Sequence, residues 1–180
     1  MTRERTPKRA QRVRHVLSRR QKDLTLVLAN IHDPHNVSAI YRSCDAFGVP
    51  KVHLYYTDTA FPLLGGKSSG SARKWVESVR HREAEGLITS IREELGEQGQ
   101  ILATGFSENA QPLTAFDLTR PTAIMLGNEH RGVDDELVAQ ADAEAYIPMQ
   151  GMVQSLNVSV AAAVSLFEAF RQRDEKGMYD

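Results

Sequence analysis

The chain has 180 residues, one cysteine and a formal net charge of −1 that balances 22 basic against 23 acidic side chains. This length suits one domain with a sizeable core, while a single cysteine excludes an intrachain disulfide and fits the reducing cytoplasm. No apolar run approaches the roughly 18 residues that a membrane span needs, so we expect a cytoplasmic protein that does not enter the membrane.

The near-neutral charge conceals a basic arm over residues 1–22. Nine of the basic side chains lie in this segment with only one acid, Glu4, which leaves the rest of the chain acidic. Such an arm is typical of proteins that bind a polyanion, although a solvated helix end has the same composition. We therefore divide the chain into an arm, residues 1–22, and a single domain, residues 23–180.

From residue 24 onward, short apolar runs typical of strands alternate with helical patterns. The predicted strands are 24–29, 51–56, 75–80, 100–106, 122–126 and 145–149. The predicted helices are 36–47, 83–95, a short segment around 133–138, and 155–173. Asn36 and Ser155 are the predicted N-caps, and a Gly/Ser-rich loop is predicted over 57–74. This alternation predicts an α/β domain whose sheet is largely parallel and carries helices on both faces.

Three polar loops follow predicted strands, at residues 30–36, 127–132 and 148–157. In α/β sheets, ligands bind beyond the carboxyl ends of the strands, where such loops converge. The placement shared by the three loops therefore predicts one ligand site at this edge of the sheet.

Arg42 lies on the polar side of the helix that follows the first loop. At about 100° per residue, it points away from the apolar stripe that includes Val37, Ile40 and Cys44. Two interpretations follow from this position: an ordinary surface arginine, or a contact to a phosphate or a reacting group near the loop.

The second loop begins with Gly127 and contains Glu129. A glycine directly after a buried strand allows the backbone to approach a ligand closely, and a carboxylate can accept hydrogen bonds from ligand hydroxyls or amines. A tight turn with a helix-capping acid is the alternative. The chain has no glycine-rich phosphate loop, and His32 and His35 lack a cysteine partner, so we expect no metal site.

Three stretches in this order resemble the motifs of the SpoU, or TrmH, family of RNA 2′-O-ribose methyltransferases, which belongs to the SPOUT superfamily. They are residues 30–48, NIHDPHNVSAIYRSCDAFG; residues 124–133, IMLGNEHRGV; and residues 147–161, IPMQGMVQSLNVSVA. The basic arm and the stretch 68–75 are similar to the tRNA (guanosine-2′-O-)-methyltransferase branch. The resemblance covers nearly the whole chain.

The resemblance implies a SPOUT-type parallel sheet flanked by helices, with a C-terminal deep trefoil knot, in a homodimer. Small residues at 161–163 would let the last helix pack closely against the knot and its dimer mate. It also implies S-adenosylmethionine as methyl donor, with S-adenosylhomocysteine as product. The residues that the resemblance places around this cofactor are Thr104, Gly127, Ile147, Met149, Ser155 and Leu156.

The family's catalytic arginine corresponds to Arg42, and its other polar motif residues correspond to Asn36, Glu129, Ser155 and Asn157. Arginine is normally held protonated, so two roles stay open for Arg42: a base, or a cation that fixes a phosphate and stabilises the developing oxyanion. The RNA contacts are assigned to Arg9, Arg12, Arg19 and Arg20 of the arm.

The expected function is 2′-O-ribose methylation of tRNA, with a D-loop guanosine as the expected target. An rRNA methyltransferase of the same family and a non-catalytic RNA-binding protein on the same fold are the alternatives. The short arm favours tRNA, because the family's rRNA enzymes often carry an additional N-terminal RNA-binding domain.

Overall fold

A computed structural model of the protein describes residues 6–62 and 72–179. Seven strands are present: β1 Leu24–Ala29, β2 Lys51–Tyr55, β3 Glu77–His81, β4 Gln100–Thr104, β5 Gln111–Pro112, β6 Thr122–Leu126 and β7 Ala143–Tyr146. Five helices accompany them: α1 Pro7–Ser18, α2 Pro34–Ala46, α3 Ala84–Leu95, α4 Asp135–Val138 and α5 Val158–Glu175.

All seven strands form one parallel sheet in the order β3-β2-β1-β6-β4-β7-β5, which confirms the predicted α/β architecture. Every residue of β1 and β6 is buried, because helices cover both faces of the sheet centre. Since β1, β6 and β4 are neighbours and run in the same direction, the loops that leave their carboxyl ends lie side by side.

Helices α2 and α5 cover one face of the sheet, and α3 and α4 cover the other. Phe47, which closes α2, contacts Phe167 and Phe170 of α5, with ring centroids 6.2 and 6.1 Å apart. Ala162 of α5 is fully buried, and α5 packs against α2. The helix that carries Arg42 and the helix that follows the third loop therefore pack on each other. The expected contact of residues 161–163 with a knot and a dimer mate stays a prediction.

The predicted N-caps of α2 and α5 are wrong by three and two residues. Asp33, rather than Asn36, caps α2: its carboxylate accepts a 2.8 Å hydrogen bond from the His35 N–H, and Pro34 fits the first helical position. Asn157, rather than Ser155, caps α5 by accepting from the Ser159 N–H at 2.9 Å. The amide of Asn36 is consequently available to the loops around it.

The remaining differences from the predicted elements lie mostly in the strands, while α5 ends at Glu175 rather than at residue 173. The third strand begins two residues later than predicted, after a short 3-10 turn over Ala72–Lys74. The fourth strand stops at Thr104, and the last shifts from 145–149 to Ala143–Tyr146, while β5 lacks any sequence pattern. Residues 63–71 of the predicted loop, and with them most of the 68–75 stretch, lie outside the described residues.

The basic arm forms α1 over its described part, from residue 6 onward. None of the α1 residues is buried. Within residues 6–62 and 72–179, no helix has the length and apolar character required to cross a bilayer.

A histidine pair lies beneath α3 on the edge of the sheet. His53 of β2 is fully buried, its Nδ1 lies 3.0 Å from Nε2 of His81 on β3, and its Nε2 lies 3.3 Å from Oε2 of Glu94. Lys51 completes the cluster with a 2.8 Å bond to the same carboxylate. Burial lowers the pKa of His53 to about 4, against the attraction of Glu94, and burial also lowers the pKa of His81.

The histidine pair predicts that acid weakens the fold. The ordinary pKa of histidine is about 6.5, and that of His53 in the folded protein is about 4. Between these two pH values, His53 is protonated in the unfolded chain but stays neutral in the folded chain. The free energy of unfolding should therefore fall as the pH is lowered through this window, by at most about 1.4 kcal/mol per pH unit for one group. Urea denaturation from pH 4 to 8 measures this dependence. His53→Gln should flatten the curve, whereas His15→Gln, in the exposed arm, should not; equal slopes in all three proteins would contradict the assignment.

Candidate active site

Three of the predicted site residues form one hydrogen-bonded chain across the three polar loops. Asn36 Nδ2 donates to Glu129 Oε1 at 2.9 Å, and Asn157 Nδ2 donates to Asn36 Oδ1 at 3.1 Å. The backbone N–H of His32 donates to the other oxygen of Glu129 at 3.2 Å. Asn36 lies in the first turn of α2, whereas residues 129 and 157 belong to the loops that follow β6 and β7. These bonds therefore fix the start of α2 and the two loops relative to one another at the carboxyl edge of the sheet.

Glu129 is held in its ionised form by these donors. Burial would raise its pKa, but the Asn36 amide and the backbone N–H groups of Glu129, His32 and Asp33 outweigh burial and lower it below the ordinary value. The carboxylate is therefore a hydrogen-bond acceptor at neutral pH, and protonation at low pH would weaken its bond to Asn36.

Arg42 and Ser155 are not part of this hydrogen-bonded chain. Arg42 is exposed on α2, as its helical position predicts, and its guanidinium makes no hydrogen bond or ion pair within the described part of the chain. Ser155 is exposed on the third loop and lines the cleft. Both side chains are therefore free to contact a ligand.

A cleft of about 620 Å³ lies beside the hydrogen-bonded chain and is lined by the loops after β4, β6 and β7. All six residues that the family resemblance assigned to the cofactor line it: Thr104, Gly127, Ile147, Met149, Ser155 and Leu156. Glu129 and Asn157 line its wall as well, so the cleft and the polar chain are parts of one site.

Gly127 is required for a different reason from the predicted one. A Cβ atom at this position would collide with the backbone of Gly132 and Val133, where the loop closes on itself through the Asn128–Gly132 bridge. The missing side chain therefore makes room for the loop's own turn. The residue still borders the cleft, but close packing within the protein is sufficient to require glycine.

Two buried asparagines that sequence reasoning missed hold the loops in place. Asn30 follows β1 in the left-handed conformation, φ 51°, and its side chain bonds to the N–H of Thr57 at 3.0 Å and to Asp134 Oδ2 at 2.9 Å. Asn128 donates from Nδ2 to the Asn30 carbonyl at 2.8 Å, and its Oδ1 accepts from the N–H of His130 at 2.9 Å. An Asn directly after a buried strand was the available signal, since Asn tolerates the left-handed region.

The chemistry of the cleft suits S-adenosylmethionine. Its walls include the apolar side chains of Leu126, Ile147 and Leu156, which suit an adenine ring and a thioether-like chain. Three acids, Glu129, Asp135 and Glu144, line the same cleft together with His130 and Arg131, and the guanidinium of Arg131 is paired with Asp58. The carboxylates therefore outnumber the arginine and favour a ligand with a sulfonium and an ammonium charge. No group of His, Cys, Asp or Glu in the described residues is arranged to hold a metal ion.

The fold and this site define an α/β protein with a ligand cleft built by the loops at the carboxyl edge of a parallel sheet. The sequence profile of the SpoU rRNA Methylase family matches residues 23–167. The chain belongs to this family.

Relatives match over nearly the full length of the chain. A Thermus thermophilus protein named tRNA (guanosine(18)-2′-O)-methyltransferase is 46% identical over 99% of this chain and 90% of its own. A Nitrosomonas europaea protein named 23S rRNA (guanosine-2′-O-)-methyltransferase RlmB is 36% identical over 85% of this chain and 58% of its own.

Solved structures agree with this membership. The TrmH/SpoU tRNA modifying enzyme of A. aeolicus has a TM-score of 0.87 and 40% identity, covering 96% of this chain and 86% of its own. The SpoU methyltransferase AviRb of Streptomyces viridochromogenes, in complex with the cofactor AdoMet, has a TM-score of 0.76 and 26% identity, covering 86% of this chain and 62% of its own.

The bonds of Asn30 predict a graded loss of stability. Asn30→Gly keeps the left-handed backbone but leaves buried partners unpaired, and should lower the free energy of unfolding by about 1–3 kcal/mol. Asn30→Ala loses the same bonds and adds about 1–2 kcal/mol of left-handed strain. Thermal and urea unfolding of the two variants measure the difference. If Ala were no worse than Gly, the backbone at this position would not be constrained as described.

Proposed function

We propose that this protein transfers a methyl group from S-adenosylmethionine to the ribose 2′-hydroxyl of a guanosine in the D-loop of tRNA. The observation that carries the proposal is the chain Glu129–Asn36–Asn157 at the mouth of an acidic cleft, with the free guanidinium of Arg42 on the adjoining helix. This is a site for holding a cationic donor and a ribose together, and a relative 46% identical to this chain is named tRNA (guanosine(18)-2′-O)-methyltransferase.

The six cleft residues assigned to the cofactor would hold S-adenosylmethionine against the loops after β4, β6 and β7. When bound there, the cofactor supplies an electrophilic methyl group on a sulfonium. The protein must then place the ribose hydroxyl in line with that methyl and exclude competing water. Asn36, Asn157 and Glu129 serve this positioning, because the hydrogen bonds that join them fix all three side chains, and Glu129 and Asn157 line the cleft.

For Arg42 we favour the role of a cation over that of a base. A guanidinium retains its proton in proteins, and deep burial would be required to displace it, whereas Arg42 is exposed. Its planar array of donors matches a phosphate, so it would hold the phosphate next to the target ribose and stabilise the oxyanion that develops as the hydroxyl loses its proton.

The choice of tRNA over rRNA depends on the relatives. The relative named for tRNA is more similar and almost the same length, whereas this chain spans less than two thirds of the relative named for 23S rRNA. A purely RNA-binding protein is less well supported, because binding alone does not require a polar chain directed at an acidic cleft.

Arg9, Arg12 and Arg19 of the arm are the proposed contacts to tRNA phosphates. All three are exposed on or next to α1. Arg20 is different: its side chain is 4% exposed, it donates to Asp45 Oδ1 at 2.7 Å and to the Val49 carbonyl at 3.0 Å, and it thereby fastens the end of the arm to α2. We therefore exclude Arg20 from the RNA contacts and assign it a structural role.

We further propose that the protein works as a homodimer in the cytoplasm, with the C-terminal knot that the family resemblance implies. An apolar stripe on α5 supports the dimer, since Val160, Val164 and Phe167 are 46%, 38% and 54% exposed. A stripe of this kind on a long helix is typical of an interface between subunits. The cytoplasmic location follows from the proposed substrate.

A labelled methyl donor tests the reaction and the role of Arg42 together. Wild-type protein should label bulk tRNA at a D-loop guanosine and leave bulk rRNA unlabelled, as mapping of the methylated nucleotides would report. Arg42→Ala should lower the rate at least about 100-fold, and Arg42→Lys, which keeps a cation, should lose less. The affinity for S-adenosylhomocysteine should stay unchanged in both variants.

Label in rRNA alone would shift the proposal to the alternative substrate, and no label in any RNA would favour the non-catalytic protein. An Arg42→Ala variant with wild-type turnover would remove Arg42 from the mechanism.

The arm predicts a salt-dependent affinity for tRNA. Neutralising Arg9, Arg12 and Arg19 together with Gln should weaken binding at low salt and reduce the slope of log K against log salt by roughly one per lost phosphate contact. Filter binding at several salt concentrations measures both quantities. Arg20→Gln is the matched control, with an expected loss of stability and an unchanged slope. Equal slopes in wild type and the triple variant would refute the assignment.

A further inference from the structure

We propose that Glu144 accepts hydrogen bonds from the ribose hydroxyls of the adenosine part of the cofactor, and thereby selects an intact ribose. This inference rests on the proposed function, because it concerns the same cleft. It assigns a specific contact to a residue that lies outside all three sequence motifs.

Glu144 lies on β7 and its carboxylate lines the cleft. The parallel register places Glu144 beside Ala103 of β4, so its side chain emerges next to the loop that follows β4. The residue is half-buried, and no basic side chain in the described residues forms an ion pair with it. A carboxylate that lines a cleft and has no ionic partner is a candidate acceptor for the donors of a ligand.

The neighbouring loop is shaped around this carboxylate. A Cβ atom at Gly105 would lie only 2.8 Å from Glu144 Oε1, so the absence of a side chain at Gly105 leaves space for the carboxylate to occupy. On the other side, the hydroxyl of Ser107 donates to Oε2. Oε2 is therefore fixed, while Oε1 receives no hydrogen bond from the described residues and is available to a donor in the cleft.

The surroundings of Glu144 fit an adenosine. Phe106 is 64% exposed and also lines the cleft, and its ring lies 6.3 Å from that of Tyr146 on the same wall. Exposed aromatic faces next to an acceptor are suited to a base and its attached sugar. A carboxylate that accepts from a ribose hydroxyl is a common solution for adenosine-containing cofactors in parallel α/β folds.

The structural alternative is that Glu144 only fixes the loop after β4 through Ser107. The two interpretations differ in what the carboxylate recognises. A ribose acceptor must discriminate against a sugar that lacks a hydroxyl, whereas a loop support would affect all ligands equally.

Isothermal titration calorimetry with S-adenosylhomocysteine and its 2′-deoxy and 3′-deoxy analogues distinguishes a ribose acceptor from a loop support. Wild-type protein should bind at least one deoxy analogue roughly 10- to 100-fold more weakly than the parent, as expected for hydrogen bonds to a charged group. Glu144→Ala should bind the parent more weakly by a similar factor and should lose most of the discrimination. Glu108→Ala, which removes an exposed carboxylate from the same loop as Ser107, is the matched control and should behave as wild type.

Two further variants test whether the position of the Glu144 carboxylate matters and whether its bond to Ser107 accounts for the effects. Gly105→Ala should displace the carboxylate and weaken binding of the parent, but should have little further effect in the Glu144→Ala background. Ser107→Ala should preserve discrimination between the parent and the deoxy analogues, because it leaves the carboxylate in the cleft.

Unchanged affinity or unchanged discrimination in Glu144→Ala would overturn this inference while leaving the proposed function intact. If Ser107→Ala reproduced every effect of Glu144→Ala, the loop-support interpretation would replace it. If wild-type protein failed to bind S-adenosylhomocysteine at all, the proposed function would fall and the inference with it.

Discussion

The geometry of the site depends on the hydrogen bonding of Asn30, a buried asparagine in a left-handed conformation. Its backbone N–H bonds to the Tyr55 carbonyl, its carbonyl accepts from Asn128, and its side chain bonds to Thr57 and Asp134. These partners come from the loops that follow β2 and β6, where the regular pairing of the sheet stops and buried polar groups need other partners. Asn30 thus supplies hydrogen-bond partners where the pairing of the sheet ends, and it supports the loop that carries Glu129.

A second polar anchor, Arg173, lies near the C-terminal end of α5. Arg173 is 1% exposed, donates to the carbonyls of Leu118 and Arg120, and pairs with Asp23 at 2.6 Å. A buried guanidinium with three acceptors is well satisfied, whereas an incomplete set would be costly. The anchor fixes the end of α5 against loops that precede β1 and β6. Because Asn157 caps the other end of the same helix, its position in the site is supported from both termini.

Sequence patterns predicted the central fold well because burial on both faces leaves a clear signal. The apolar runs of β1 and β6 gave both strands with correct ends, and the helical stripe of α2 placed Arg42 on the exposed side.

The N-caps were less predictable, since several polar residues in succession can each cap a helix and only tertiary contacts decide between them. Asn36 was free to bond Glu129 because Pro34 allowed the helix to begin earlier. The role of Gly127 could not be predicted, because it depends on where the backbone of Gly132 and Val133 returns. For Asn30 the sequence offered a residue that tolerates the left-handed region, but its partners on other loops depend on the fold. Arg20 illustrates the same limit: its position in the basic arm resembles that of the other arm arginines, and only the fold shows that it is buried against Asp45.

The distribution of charge explains how one site would accept two ligands of opposite sign. Carboxylates outnumber arginines along the cleft, and Arg131 is paired with Asp58, so a cationic cofactor would be attracted into the cleft more readily than an RNA phosphate. Arg42 and the arm from residue 6 onward do not line the cleft, so they could hold a polyanion by contacts that do not compete with the acids. At the boundary between the two regions stand Asn36 and Asn157, whose amides are neutral and can both donate and accept. A charged residue of either sign at these two positions would favour one ligand at the expense of the other. If both ligands bind next to each other, the side chains between them should be neutral and able both to donate and to accept. The amides of Asn36 and Asn157 meet this requirement.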